Sequence, residues 1–355
     1  MLPEPTNLFA QMCSFENLFL AYRKARKGKR SNPQVAAFEF NQEDELLQLQ
    51  QELLSGAWTP GKYHSFYIHD PKRRLISAAP FRDRVVHHAL CRVIEPIWER
   101  RFIFDSYANR KDKGTHRAIL RCSQFARHYP YVLQCDLEQF FPSIDHAILR
   151  STLVKIHPEP ELMALVDRIL TSGVGVLDQE YRMCWFPGDD LLAGLRPRGL
   201  PIGNLTSQFW ANVYLNGFDH FVKRELRCKG YLRYVDDFLL FSDDKAQLWR
   251  WCDAIQSRLA SLRQTLHPPQ VFPVNTGIPF LGFRIYPTHR RLKRRRGIAF
   301  QQRFRHLYRG WVNGEIPRRR LDDSARSWAA HASWGDTYRL REKLLGAYDL
   351  SLSNH

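Results

Sequence analysis

Residues Tyr231–Phe241 read YLRYVDDFLLF, and the reading of this stretch decides the fold. Two apolar runs flank the pair Asp236-Asp237, where a turn must fall, which is the signature of a β-hairpin carrying carboxylates at its tip. A third carboxylate is placed in a similar way. Tyr131–Cys135, YVLQC, is a short aromatic and β-branched run suited to a buried strand, and Asp136 stands at its end. Asp189-Asp190 serves as a control: it is the same dipeptide, set in a Gly/Pro loop (FPGDD) without flanking strands.

Working outward, Cys13–Lys29 has helical spacing with Ser14 as its cap and a very basic end, and Glu43–Leu54 forms a second helix stopped by Ser55-Gly56. Tyr63–Ile76 alternates like a hairpin around Asp70-Pro71, with Lys72, Arg73 and Arg74 directly after the turn. Helices are expected over Arg82–Arg100, Ile144–His157, Leu205–Leu226 and Lys245–Leu262. Loop and short hairpin structure is expected from Gly173 to Gly203, and a single short strand at Phe280–Ile285, FLGFRI. The composition then shifts toward Arg: between His289 and Arg320 the cations are opposed only by Glu315. This order predicts an α+β core over residues 1–287 and a basic helical unit over 288–355.

The 355 residues carry 53 Lys and Arg against 36 Asp and Glu, a formal charge of +17, with 13% aromatic residues. A packed core is therefore within reach, disorder is excluded as the main state, and a polyanionic partner, foremost nucleic acid, accounts for the charge better than solubility alone. The seven Cys are scattered without a C-x-x-C pair and are expected to be buried, reduced thiols. With no basic leader before an apolar run and no 18-residue apolar span, a cytoplasmic chain without membrane contact is expected.

Short acidic side chains at the ends of rigid strands offer hard oxygen ligands of the kind Mg²⁺ takes, together with substrate phosphates. Two such ions ~4 Å apart activate an attacking 3′-hydroxyl and stabilise a leaving pyrophosphate. Without further information, a polar hairpin turn explains Asp236 and Asp237 equally well.

The stretches KRRLISAAPFRDRVVHHAL, QCDLEQFFPSIDH, GLPIGNLTSQFWANVYLN, YVDDFLLF and FLGFRI lie in one order along most of the chain. In that order and spacing the sequence resembles the reverse transcriptases. The resemblance implies a right-hand polymerase with fingers, a palm built on an antiparallel sheet, and a small helical thumb. It further implies that Asp136 and Asp236 bind two Mg²⁺ ions with Asp237 completing the cluster, and that Phe141, five residues after Asp136, blocks a ribose 2′-hydroxyl. Its rival role is a core Phe beside Phe140. Lys72 and Arg74 suit a triphosphate, with a solvated turn as the alternative. Ile202 and Gly203 are expected at the same dNTP site.

Ile202–Gln208, IGNLTSQ, resembles the diversity-generating retroelement enzymes, which have Ile where most reverse transcriptases have Gln and Ser207-Gln208 where they have Ser-Pro. Ser327–Leu340, SWAAHASWGDTYRL, resembles the end of the same enzymes. This implies copying of a template-repeat RNA with errors at adenines, and as partners the RNA, the RNA/cDNA duplex, dNTPs and a pentameric accessory variability protein. An aliphatic Ile202 removes a polar check on base-pair geometry; a plain core residue is the other explanation. Arg290, Arg291, Lys293, Arg294, Arg295 and Arg296 would hold the duplex backbone, with Trp311, Trp328 and Trp334 as thumb core. No nuclease or maturase extension is expected. An antiphage reverse transcriptase could share every polymerase motif, and a catalytically idle RNA-binding scaffold is the non-enzyme alternative.

Overall fold

The computed structural model describes residues 7–69 and 73–346. The N-terminal helices start where the sequence supplies a cap. Asn7 caps α1 (Leu8–Cys13), Ser14 caps α2 (Phe15–Ala25) by accepting from Asn17 N, and Asn32 caps α3 (Pro33–Phe40) ahead of its first-turn proline. α4 (Gln42–Leu54) is followed by the antiparallel hairpin of β1 (His64–Ile68) and β2 (Arg74–Ala78), in register from His64↔Ala78 to Ile68↔Arg74. α5 (Phe81–Glu99) buries Val85, Val86, Ala89, Leu90, Val93 and Ile94, the stripe read from the sequence, and packs on α2.

α6 (Thr115–His128) leads into β3 (Tyr131–Asp136), after which α7 (Phe140–Ser143), α8 (His146–Val154, capped by Asp145) and α9 (Pro160–Ser172) follow. The stretch from Gly173 to Gly203 forms no hairpin among the described residues. It is irregular, with single tight turns at Asp178–Glu180 and Leu191–Leu195. α10 (Leu205–His220) stops before the expected Leu226 and opens into a wider π turn over Phe221–Glu225, where Lys223 turns aside to Asp105. Then come β4 (Gly230–Tyr234), β5 (Asp237–Ser242), α11 (Lys245–Ser261) and β6 (Gln270–Pro273), giving an antiparallel sheet in the order β4-β5-β3-β6.

This sheet lies between two cores, and its side chains alternate between them. Leu133, Cys135, Phe238 and Leu240 join the large core under α5 and α10, while Val132, Leu239 and Phe241 join a second core with Ala118, Ile119 and Cys122 of α6. Coverage on both faces is why VLQC and FLLF read as continuous apolar runs and not as an alternation.

FLGFRI is a hairpin and not the single strand expected. Leu281 (φ +45°) and Gly282 (φ +92°) form its turn, joining β7 (Ile278–Phe280) to β8 (Phe283–Ile285), and β9 (Arg290–Leu292) adds a third strand. Residue 287 therefore falls in the β8–β9 connection, and Arg290 and Arg291 belong to a strand. Helical structure resumes with α12 (Arg294–Val312), α13 (Arg318–Ala332) and α14 (Tyr338–Gly346) around a core of their own. There Trp328 stacks on Phe300 at 4.2 Å, whereas Trp334 stacks on His116 of α6 at 4.4 Å and Arg318 lies over Trp311. All seven Cys are free; six are buried, and Cys184 is half-exposed. No described helix is long and apolar enough to cross a membrane.

Gly230 faces Phe241 across β4 and β5, and a Cβ there would lie 2.8 Å from Phe241 Cβ and 2.9 Å from the Tyr129 ring. Gly230→Ala is expected to lower unfolding free energy in urea by ~1–3 kcal/mol. An unchanged midpoint would show that the edge of the sheet repacks freely.

Candidate active site

The register Tyr234↔Asp237 leaves Val235 and Asp236 as a two-residue turn, so the acidic pair is divided. Asp236 sits at the tip, and Asp237 is the first residue of β5, directly opposite Asp136 on β3. Val235 holds φ +59°, a value that a β-branched residue avoids unless its surroundings impose it. The imposing group is Arg233, which is fully buried. Its Nη1 donates to the Val235 carbonyl at 2.9 Å and to Asn212 Oδ1 at 3.1 Å. Its Nε and Nη2 donate to the Asp219 carboxylate at 2.8 and 2.7 Å, and Tyr231 Oη donates to the same carboxylate at 2.7 Å. Leu137 N donates to the Asp236 carbonyl at 3.3 Å, tying the exit of β3 to the turn.

Alternation along β3 and β5 puts Asp136 and Asp237 on the sheet face that Val132, Leu239 and Phe241 line farther along, the side of β7–β9. Burial, and then the charge of Asp136, push the Asp236 carboxyl above its ordinary range, while Arg74 pulls it back. Burial lowers the Lys293 ammonium, and Asp237 opposes that shift. The fold thus brings together residues from four places in the chain: Arg74 from β2, Asp136 from β3, Asp236 and Asp237 from the β4–β5 hairpin, and Lys293 directly after β9. Among the described residues no three His, Cys, Asp or Glu side chains are drawn together closely enough to cage an ion by themselves. The donor set still fits Mg²⁺, which keeps waters and substrate phosphates in its shell. A cation here would relieve the repulsion between Asp136 and Asp236.

The Ile202–Gln208 segment is bound to β2. Ser77 N donates to the Ile202 carbonyl at 2.7 Å, and Gly203, at φ +119°, would place a Cβ 3.0 Å from Ile76. Asn204, buried, accepts from Ala79 N at 3.0 Å and donates to the Ser77 and Pro201 carbonyls at 2.9 and 3.0 Å. The Ile202 side chain is half-buried and Gly203 is exposed; Ser207 is buried and Gln208 half-buried inside α10. Phe141 is half-buried against the large core, edge-on to Phe140 at 5.4 Å. Arg74 is exposed, and Lys72 lies outside the described residues.

Arg294 and Arg295 are exposed at the start of α12. Arg296 lies over Gly282 and borders a cavity of about 550 Å³ shared with Lys113, His116, Tyr234, Leu281 and His331. Asp189, the control, is held by Arg196 at 2.6 Å and Arg263 at 2.9 Å, a structural tie in the loop. Arg233, Asp219 and Asn204 were not identified from the sequence. A lone Arg inside the apolar YLRYV was the available signal for the first.

The family described as "Reverse transcriptase (RNA-dependent DNA polymerase)" matches residues 68–285, more than half of the chain. Protein YkfC of Escherichia coli (strain K12) is 26% identical over 288 residues, 68% of this chain and 71% of that protein. The group II intron-encoded protein LtrA of Lactococcus lactis subsp. cremoris is 22% identical over 183 residues, 51% of this chain and 28% of that protein. The chain thus spans most of YkfC but only about a quarter of LtrA. Apo telomerase from Candida tropicalis superposes with a TM-score of 0.49 at 12% identity, over 82% of this chain and 62% of that one.

Removing one partner of a buried ion pair leaves the other charge uncompensated, so Arg233→Met is expected to cost ~3–5 kcal/mol of stability. Pairing it with Asp219→Leu should restore much of that loss. Denaturant midpoints of the two variants check this, and a single variant within ~1 kcal/mol of wild type would remove the pair from its supporting role.

Proposed function

Because the chain belongs to the reverse transcriptase family, we propose that it is the RNA-directed DNA polymerase of a diversity-generating retroelement, copying a template-repeat RNA into cDNA with errors at adenines. The observation that carries the polymerase chemistry is the gathering of Asp136, Asp236 and Asp237 at one end of the palm sheet, with an exposed Arg74 in electrostatic reach of Asp236. In this reading the three carboxylates hold two Mg²⁺ ions, which supply activation of the primer 3′-hydroxyl and neutralisation of the pyrophosphate. Arg74 and Lys72 grip the dNTP triphosphate, and Phe141 lies under its sugar. The template and the RNA/cDNA duplex run along the cations Arg290, Arg291, Lys293, Arg294, Arg295 and Arg296, with α12 to α14 as the thumb and the rest as fingers and palm.

The retroelement assignment is supported by the half-exposed Ile202. The main chain there is fixed to β2, the strand that carries Arg74, and the side chain is not fully buried, which is compatible with a place beside the nucleotide in this reading. The C-terminal Ser327–Leu340 segment adds to it, and the pentameric accessory protein is the partner that this assignment brings.

Asp236→Asn removes an anionic ligand while keeping shape, so primer extension on an RNA template should nearly vanish with the fold intact. A second readout does not involve activity. A carboxyl whose folded pKa is raised costs stability fully above that pKa, and the cost disappears as pH falls below the ordinary carboxylate range. Without divalent ions the variant should therefore be the more stable protein at neutral pH, and Mg²⁺ should raise the melting temperature of wild type more than that of the variant. Equal extension and equal Mg²⁺ response would sink the assignment.

Ile202 offers no hydrogen bond, so mispairs that a polar contact would penalise by ~1–3 kcal/mol are tolerated. Sequencing cDNA from a defined template, with the retroelement RNA and accessory protein supplied, should show errors concentrated at adenines. Ile202→Gln should reduce them there more than elsewhere. A wild type that copies all four bases equally well would favour the antiphage enzyme instead.

A further inference from the structure

The outer edge of the palm sheet, β4, is closed off by the segment that joins α5 to α6. Ser106 pairs with Arg233, Arg233 N donates to the Asp105 carbonyl at 2.9 Å, and Tyr107 N donates to the Arg233 carbonyl at 3.0 Å. The buried Asp105 carboxylate then ties three elements together. Arg121 of α6 donates to it from Nε at 2.8 Å, Lys223 of the π turn from Nζ at 3.2 Å, and Tyr107 from Oη at 3.1 Å. Lys223 Nζ also donates to the Lys229 carbonyl at 3.0 Å, which folds the connection between α10 and β4 back on itself.

Phe104, one residue before that aspartate, is instead 70% exposed. The Lys113 ammonium lies 3.5 Å from its ring centroid and the Arg121 guanidinium 5.9 Å. Lys113, Arg117 and Arg121 recur every four residues into α6, and Arg224, Arg227 and Lys229 are exposed in the connection before β4. Asp105 is taken by Arg121 and Lys223, and Glu99 by Arg110; among the described residues Arg117, Arg224, Arg227 and Lys229 make no ion pair. The exposed acids of these two segments are Asp112 and Glu225. Two backbone features mark the same place: Arg227 holds φ +52°, and the chain from Phe221 to Glu225 widens into a π turn, a form found mostly at working sites. Solubility accounts for the cations but not for a phenyl ring held in water among them. Phosphates on cations and a base on an aromatic face are how an unpaired strand is held, whereas a duplex keeps its bases inside and leaves the ring nothing to stack on.

We infer that Phe104, with Lys113, Arg117, Arg224, Arg227 and Lys229 around it, binds an unpaired stretch of RNA that is not the strand being copied. Lys229 precedes Asp236 by seven residues along β4 and its turn, roughly 20 Å at the rise of a strand, so this surface stands apart from the carboxylates. The choice of RNA rests on the polymerase reading above, in which the enzyme carries an RNA longer than the part it copies. The surface itself rests on the exposed ring, the unpaired cations and the Asp105 tie that holds them in place.

The test uses the full chain loaded with a saturating excess of unlabelled primer and RNA template, so that the path to the carboxylates is filled. The probe is a labelled single-stranded RNA of about 12 nucleotides, complementary to neither strand and within the span of one single-strand site. Fluorescence anisotropy should show saturable binding of this probe to the loaded enzyme, and a blunt RNA duplex of the same length should bind at least about fivefold more weakly. Phe104→Ala, which shortens an exposed side chain, should weaken the probe at least about fivefold. Arg224→Glu with Lys229→Glu, both exposed, should weaken it as well and lower its salt slope by ~0.7 per lost contact. Primer extension by both variants should stay within about twofold of wild type. Loss of the probe when primer and template are bound, equal binding of the blunt duplex, or an unchanged affinity in both variants overturns the inference. A wild type that extends no primer overturns the polymerase reading instead, and the probe still decides the surface on its own.

Discussion

The arrangement of the site depends on one buried ion pair. Arg233 and Asp219 are both withdrawn from solvent, and taking two charges out of water is costly unless their remaining donors and acceptors are satisfied. Here they are: the guanidinium serves Asp219, Asn212, Ser106 and the Val235 carbonyl, and Tyr231 Oη completes the carboxylate. A hydrophobic pair of equal volume could stabilise the sheet as well, but it could not donate to Val235. The ion pair therefore explains the turn more than the stability. It fixes a β-branched residue at positive φ, and that conformation separates Asp236 from Asp237 and sets the latter opposite Asp136.

From that register the electrostatics follow. Side chains two apart on a strand share a face, so Asp136 and Asp237 both project toward the side closed by β7–β9, and Lys293 arrives there from the end of β9. Asp236, displaced by one residue, feels Asp136 across a short gap and Arg74 from the fingers. Three negative groups are thus bracketed by cations from two separate parts of the chain. The cations offset part of the repulsion that Asp136 and Asp236 exert on each other at the end of the sheet.

What the sequence made legible was what local pattern dictates. The hairpin of Tyr231–Phe241, the strand before Asp136, the cap at Ser14 and the apolar stripe of α5 rest on periodicity and short-range hydrogen bonds, and each is present. FLGFRI was misread because six residues with one Gly fit a strand as well as a two-residue turn, and the positive φ of both Leu281 and Gly282 decides between them. The basic run was taken whole as helical, yet its first residues pair with β8, a contact that composition does not encode. Arg233 was hidden for a different reason. Its partners lie 14 and 21 residues away on α10 and 127 residues away at Ser106, so nothing in the strand itself announces why a charge is buried there.

The junction between fingers and palm shows how such long-range ties divide labour within a residue. Asn204 and the Ile202 carbonyl fasten the loop to β2 through main-chain groups of Ser77 and Ala79, separated by 125 residues or more in all three contacts to that strand and its exit. None of those bonds uses the Ile202 side chain. The backbone at this position is therefore committed to architecture, holding the strand that carries Arg74 against the palm, and it does so independently of which side chain it bears. A substitution at residue 202 that keeps the main chain in place would leave these ties between loop and strand intact.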